Sequence, residues 1–384
     1  MTRSQPSYRR GDAGPAVAEI RHRLVTVGLL AEERHHSAAA ADDAVFDDAV
    51  DTAVRQFQQQ RGLTVDGIVG PHTYRVLDEA RWRLGDRILS YAVSHLMSGD
   101  DVAALQRRLA DMGFACGRVD GIFGPRTATA LREFQRGVGL APDGTCGPAT
   151  LKALTRLSRT VVGGRPDALR ASEALERSGP TLSGKVVVID PGHGGEDRGV
   201  AAHGLDEASV VEDLAARVEG RLSATGVIAF LTRGADMTTD EVERATFAND
   251  AEADLCISLH ADGNASPGAR GAATYYYGND RFGHSSSLGE RFADLVQREI
   301  VARTDLLDCR SHAKTWDLLR LTRMPSVRIE VGYLTNAGDA ARLADPSFRD
   351  VLAEAIVAAV QRLYLPAGED AATGTLRLPE LAAR

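Results

Sequence analysis

The sequence predicts a multidomain protein in which two small all-α modules precede an α/β domain with an open, mainly parallel sheet. Two observations carry this. The first 160 residues contain an internal repeat, and from Lys185 apolar strand-like runs alternate with amphipathic helical ones. A length of 384 residues accommodates two or three such domains. With 43% hydrophobic residues the chain is too apolar for general disorder. The net charge of −8 offers no basic footprint for nucleic acid. Lys152, Lys185 and Lys314 are the only lysines among 45 basic residues, which reads as arginine-favouring codon usage rather than phosphate recognition.

The repeat comes first. AVRQFQQQRGLTVDGIVGPHTYRVL (53–77) matches ALREFQRGVGLAPDGTCGPATLKAL (130–154) at an offset of 77. Upstream, AVAEIRHRLVTVGLL (16–30) matches DVAALQRRLADMGFA (101–115) at an offset of 85, so the first copy carries an eight-residue insertion near AEERHHSAAAADDA. Val17, Ile20, Leu24 and Val27 recur at helical spacing, as do Val102, Leu105, Leu109 and Met112. Gly28 and Gly113 stand where a C-terminal cap belongs. A second helix carries Phe57 or Phe134 inward. The D-G-x-x-G-P-x-T turn then opens a third, with proline in its first turn, and the second copy has this turn twice, at 120–127 and 143–150. The modules span 9–84 and 95–160. Residues 161–183 read as a linker with a short helix, 184–365 as the α/β domain and 366–384 as a flexible tail.

Three apolar strands carry residues with catalytic character. VVVID leads to His193, LCISL to His260, and VRI to Glu330. Strand ends converge in open α/β sheets, so these residues can meet although far apart in sequence. Gly192, Gly194 and Gly195 let the chain turn beside His193, and Glu207 at the next helix start can point to the same rim. Two imidazoles and a carboxylate are a catalytic zinc set with a fourth position for water. Glu330 is then a candidate to move protons during amide hydrolysis. Spacing alone leaves other readings open: a histidine after a strand is often a solvated loop residue, and Glu207 with Asp206 and Glu212 is also a charged helix start. Glu330 interrupts a buried run, where an ionised group is costly without a partner.

The segments VVVIDPGHGGEDRG, GLDEASVVEDLA, R-x₃-AND-x-EADLCISLHAD and MPSVRIEVGYLTN resemble, in order, the motifs of zinc-dependent N-acetylmuramoyl-L-alanine amidases of the Amidase_3 type. The resemblance covers about 185–365. It implies Zn²⁺ held by His193, Glu207 and His260, with Glu330 as the catalytic carboxylate. Glu196 and Glu212 compete for the ligand role, but Glu207 stands at the family's position. Arg244 and Asn249 are expected to be structural. The two helical modules resemble peptidoglycan-binding modules, which implies peptidoglycan or muropeptide as partner and substrate.

The order of parts also resembles non-exported members associated with regulating cell-wall precursor synthesis under phosphorylation control. That alternative implies a cytoplasmic cell-wall synthesis enzyme as partner, with Thr373 and Thr375 as phosphate acceptors. No apolar segment follows the N-terminal arginines, and no run of apolar residues is long enough to span a membrane. The expectation is therefore a cytoplasmic protein, reaching the cell wall only by a non-Sec route. Cys116 and Cys146 would pair only if exported and are otherwise expected as free buried thiols.

Overall fold

The computed structural model describes residues 6–31, 44–157, 166–279 and 284–365. Two units result, divided near residue 170. The repeat insertion and the tail threonines fall outside the described residues.

In the first unit each module shows three helices among the described residues. These are α1 (Pro15–Thr26), α2 (Asp48–Gln60) and α3 (Pro71–Glu79), then α4 (Asp100–Asp111), α5 (Pro125–Gly137) and α6 (Pro148–Leu157). Gly28 and Gly113 adopt positive φ just past α1 and α4. Their neighbours Leu29 and Phe114 donate back to the Leu24 and Leu109 carbonyls at 2.9 Å, which closes each helix end. Phe57 and Phe134 are fully buried in separate module cores.

One glutamine explains the repeated turn. Gln135 Nε2 donates to Asp143 Oδ1 (2.7 Å), the Thr145 carbonyl (3.0 Å) and Thr150 Oγ1 (3.1 Å), while its Oε1 accepts from the Gly144 amide (2.9 Å). Gln58 holds Asp66, Ile68 and Gly67 in the same way, and Gln106 holds Asp120, Ile122, Thr127 and Gly121. The motif is thus a hydrogen-bond knot, a buried neutral glutamine closed onto an aspartate turn, seen three times among the described residues. At the fourth equivalent position stands Arg21, which instead reaches the Val45 carbonyl and Asp47. Between modules, Arg61 grips Asp100 with both terminal nitrogens, at 2.7 and 2.8 Å.

After α7 (Pro166–Arg177) the second unit begins with β1 (Val186–Pro191). The short β2 (Ala201–Ala202) and β3 (Leu205–Asp206) follow, then α8 (Glu207–Ala224), β4 (Ile228–Leu231), α9 (Glu241–Asp250) and β5 (Leu255–Asp262). Next come β6 (Ala272–Asn279), β7 (His284–Ser285), α10 (Ser287–Arg303) and β8 (Asp308–Lys314). The chain continues through α11 (Asp317–Leu321), β9 (Ser326–Tyr333), α12 (Ala337–Ala344) and α13 (Pro346–Tyr364). The sheet runs β4-β1-β5-β9-β6-β7, with β8 also paired to β6. Its β1–β4, β1–β5, β5–β9 and β6–β8 pairs are parallel, and only β6–β9 is antiparallel among the registers described. Sequence periodicity does not mark β8, α11 or α12, because DCRSHAK has no apolar alternation and the two helices are short.

Val187, Ile189, Ile257, Leu259, Val327 and Ile329 pack with α8, α10 and α13 on one face. Val188 and Cys256 face Ala248 of α9 on the other. Side chains alternate along strands, so Asp190, Ser258, His260, Arg328 and Glu330 share the α9 face. All four cysteines are free, and Cys116, Cys146 and Cys256 are buried. No helix among the described residues is long and apolar enough to cross a membrane.

Candidate metal centre

Backbone conformation brings the first imidazole forward. His193 adopts φ 57°, a left-handed conformation costly for a residue with a Cβ. Four arginine-donated bonds hold it there. Arg244 reaches the His193 carbonyl (2.6 Å) and the Pro191 carbonyl (2.5 Å), and Arg233 reaches the Pro191 and Gly192 carbonyls, both at 2.9 Å. Arg244 also pairs at 2.7 Å with Asp190, whose carboxylate accepts from Thr232 (2.6 Å) and Ser258 (2.7 Å). Burial pushes the Asp190 pKa up, but the Arg244 charge and these hydrogen bonds reverse that and leave it lowered.

Close packing demands glycine twice here. A Cβ on Gly192 would lie 2.2 Å from the His260 ring, and one on Gly199 would lie 2.5 Å from Glu207 Oε2. Neither can carry a side chain without moving the cluster.

Glu207, at the first turn of α8, lies between the imidazoles. Its Oε2 is 3.1 Å from His193 Nε2, and its Oε1 is 2.9 Å from His260 Nδ1. The amides of Val200 and Ala261 each donate to one of its oxygens, at 3.0 and 3.1 Å. Burial raises its pKa, yet the two histidines' hydrogen bonds and charges outweigh this and hold it far below the usual carboxylate range. His260 is pushed down to about 4 by burial and then by the Arg328 charge, against the pull of Glu207. It is therefore neutral at pH 7, the form that ligates metals. For His193 burial acts downward, but Glu207 and Asp197 raise the pKa overall. Asp197 Oδ2 sits 2.9 Å from His193 Nδ1, leaving Nε2 for the centre.

One donor atom from each of His193, Glu207 and His260 lies within 4.8 Å of the others. Two imidazole nitrogens and a carboxylate oxygen at that spacing fit a divalent transition cation with a position left over. Glu196 is exposed and Glu212 pairs with Arg233 at 3.6 Å, so neither competitor joins the set.

Glu330 lies opposite His260 in the β5–β9 register. Its Oε1 accepts from Arg328 Nε (2.9 Å) and lies 2.8 Å from Arg328 Nη2, while its buried Oε2 has no hydrogen-bond partner. Burial raises its pKa and Arg328 opposes this. The charges of Asp262 and Glu207 add to the rise, which reaches about 7. A carboxyl poised there can both take and give a proton near neutrality.

Arg244 is the loop brace described above. Asn249 ties α9 to the segment before β9, donating to the Leu321 carbonyl (2.9 Å) and accepting from the Arg323 amide (2.8 Å). Both act structurally. Sequence reasoning missed Asp190, Asp197, Arg233 and Arg328. For Asp190 and Arg328 the signal was present, a charge inside an apolar strand, the same signal that singled out Glu330.

Residues 187–362 match the N-acetylmuramoyl-L-alanine amidase family model, Amidase_3, and residues 13–77 and 98–154 each match a peptidoglycan binding domain. The N-acetylmuramoyl-L-alanine amidase CwlM of Mycobacterium tuberculosis is 49% identical over 383 residues, covering 98% of this chain and 94% of that one. LytC of Bacillus subtilis, of the same named activity, is 32% identical over 52% of this chain and 39% of its own. Among solved structures, amidase AmiC2 of Nostoc punctiforme is 34% identical with a TM-score of 0.43, covering 46% of this chain and 96% of that one. The chain belongs to the N-acetylmuramoyl-L-alanine amidase family, with two peptidoglycan-binding modules ahead of its amidase domain.

Proposed function

We propose that this protein is a zinc-dependent amidase that hydrolyses the bond between the lactyl group of N-acetylmuramic acid and L-alanine, in peptidoglycan or muropeptides. The observation that carries this reading is the Glu207 carboxylate held between two imidazoles, beside a Glu330 carboxyl with one unpartnered oxygen. Bound at His193, Glu207 and His260, zinc would supply Lewis acidity toward water and the scissile carbonyl. The protein's own groups do the rest. Asp197 fixes the His193 ring, and the Val200 and Ala261 amides fix Glu207. Glu330 Oε2 accepts the proton of the attacking water and returns it to the departing L-alanine nitrogen. The N-terminal modules keep the domain near a polymeric substrate by raising its effective concentration.

The test is release of new L-alanine amino termini from purified peptidoglycan and from soluble muropeptides, with zinc-loaded parent beside Glu330→Gln. The expected result is release by the parent and a loss of roughly 10²- to 10⁴-fold in the variant, with zinc content unchanged. Equal release by both proteins, or none from zinc-loaded parent on either substrate, overturns the reading.

A further inference from the structure

Arg328 is placed unusually for a salt-bridging arginine. A guanidinium normally meets a carboxylate fork to fork, two nitrogens on two oxygens. Here Nε and Nη2 both converge on Glu330 Oε1, at 2.9 and 2.8 Å, and Oε2 is left buried without a partner. A pair serving stability alone gains by satisfying both oxygens, since an orphaned buried acceptor costs about 1–3 kcal/mol.

The guanidinium is itself held from two other sides. Its Cζ lies 4.6 Å from the centre of the Trp316 ring, and that ring packs on Tyr275 at 4.7 Å. Its Nη1 reaches Glu241 Oε1 at 3.3 Å, and the other Glu241 oxygen accepts from the Leu318 amide at 3.2 Å. Glu241 opens α9, Trp316 directly precedes α11, and Tyr275 lies opposite Arg328 in the β6–β9 register. Three elements besides its own strand therefore fix one side chain. The planar fork stacks on an aromatic face in a way that a lysine ammonium does not match.

We infer that Arg328, clamped by Trp316 and Glu241, is a positioning residue that binds one oxygen of Glu330 so that the other is kept for proton transfer. This rests on the amidase reading, within which Glu330 is the group that touches water and the leaving nitrogen. Arg328 acts only through Glu330. Its removal frees the carboxyl to rotate, and a displacement of about 1 Å at a reacting group can cost on the order of 10²-fold in rate.

The experiment uses the full chain loaded with zinc, in the parent, Arg328→Met, Arg328→Lys and Trp316→Leu forms, with a soluble muropeptide as substrate. Positioning predicts that Arg328→Met lowers kcat roughly 10- to 100-fold, with KM within about two-fold and zinc per chain unchanged. Arg328→Lys recovers part of the loss, and Trp316→Leu shows a smaller fall in kcat alone. Unchanged kcat, or a loss confined to KM, overturns the inference. Crystal structures of the parent and Arg328→Met supply a readout that needs no turnover. The inference expects the Glu330 carboxyl to swing away from its parent position, and a carboxyl that stays in place overturns it. Should Arg328→Met not fold, kinetics and structure of Trp316→Leu decide on the same criteria. A parent that cuts nothing would defeat the amidase reading, while the structural comparison still decides whether Arg328 positions Glu330.

Discussion

The peptidoglycan-binding modules and the amidase domain both bury polar side chains, but the networks built on them differ in charge and reach. In the modules the repeated network centres on a buried neutral amide, beside charged pairs such as Arg61–Asp100: Gln58, Gln106 and Gln135 each close a turn 8 to 21 residues further along the chain. Around the site of the amidase domain the network is charged and its members come from far apart. Asp190 and Arg244 are separated by 54 positions, and Glu207 and His260 by 53. A neutral amide satisfied on all sides fixes a local shape and has no further capacity to react. A charged network pays a desolvation cost that only good geometry recovers, and in exchange it holds imidazoles and carboxyls where solvent cannot compete. The Glu330 oxygen without a partner lies in the charged network, where the chemistry is assigned.

The sharpest way to break this contrast is to unpair the charged network. Asp190→Ala leaves Arg244 buried without its carboxylate, and the expected loss is about 3–5 kcal/mol of unfolding free energy by urea titration. The pH dependence carries a definite sign. The folded-state pKa of Asp190 is depressed, so its contribution is complete above the unfolded value of about 3.9 and is lost as pH falls through the lower folded value. The parent should therefore lose stability below about pH 4 more steeply than Asp190→Ala. Parallel acid-unfolding curves for the two proteins would refute this role for Asp190.

A smaller effect is expected at Asp197, which touches the proposed metal set only through His193. Asp197→Ala should weaken zinc binding roughly 10- to 100-fold in a chelator competition, with little change in urea midpoint. An unchanged zinc affinity would mean that the His193 ring is oriented by Glu207 and its loop alone.

The smallest effect belongs to the modules. Thr127→Val removes one of three acceptors from the Gln106 amide, and about 0.5–1.5 kcal/mol should be lost. Hydrogen exchange should place that loss in the second module and leave amidase-domain protection unchanged. A matching loss of protection around β1 and β5 would show the two networks to be coupled, and the contrast would fail.

How much of this was readable from sequence follows the same division. The modules were readable nearly whole, because D-G-x-x-G-P-x-T and the glutamine that binds it are close along the chain and repeat. The family motifs marked His193, Glu207, His260 and Glu330 one by one, and the glycines at 192 and 199 stand within the first of them. What the sequence by itself determined was thus the local shapes and the residue types of a metal-dependent amidase. Strand order and register were decided only in the folded chain. They set Glu330 opposite His260, bring Arg328 under Trp316 of the segment before α11, and close Asp190 onto Arg244 in the first turn of α9. The physical reason is that a buried charge is stabilised by whatever lies within about 3–4 Å in space, and in a sheet wound from distant segments that neighbour is chosen by topology.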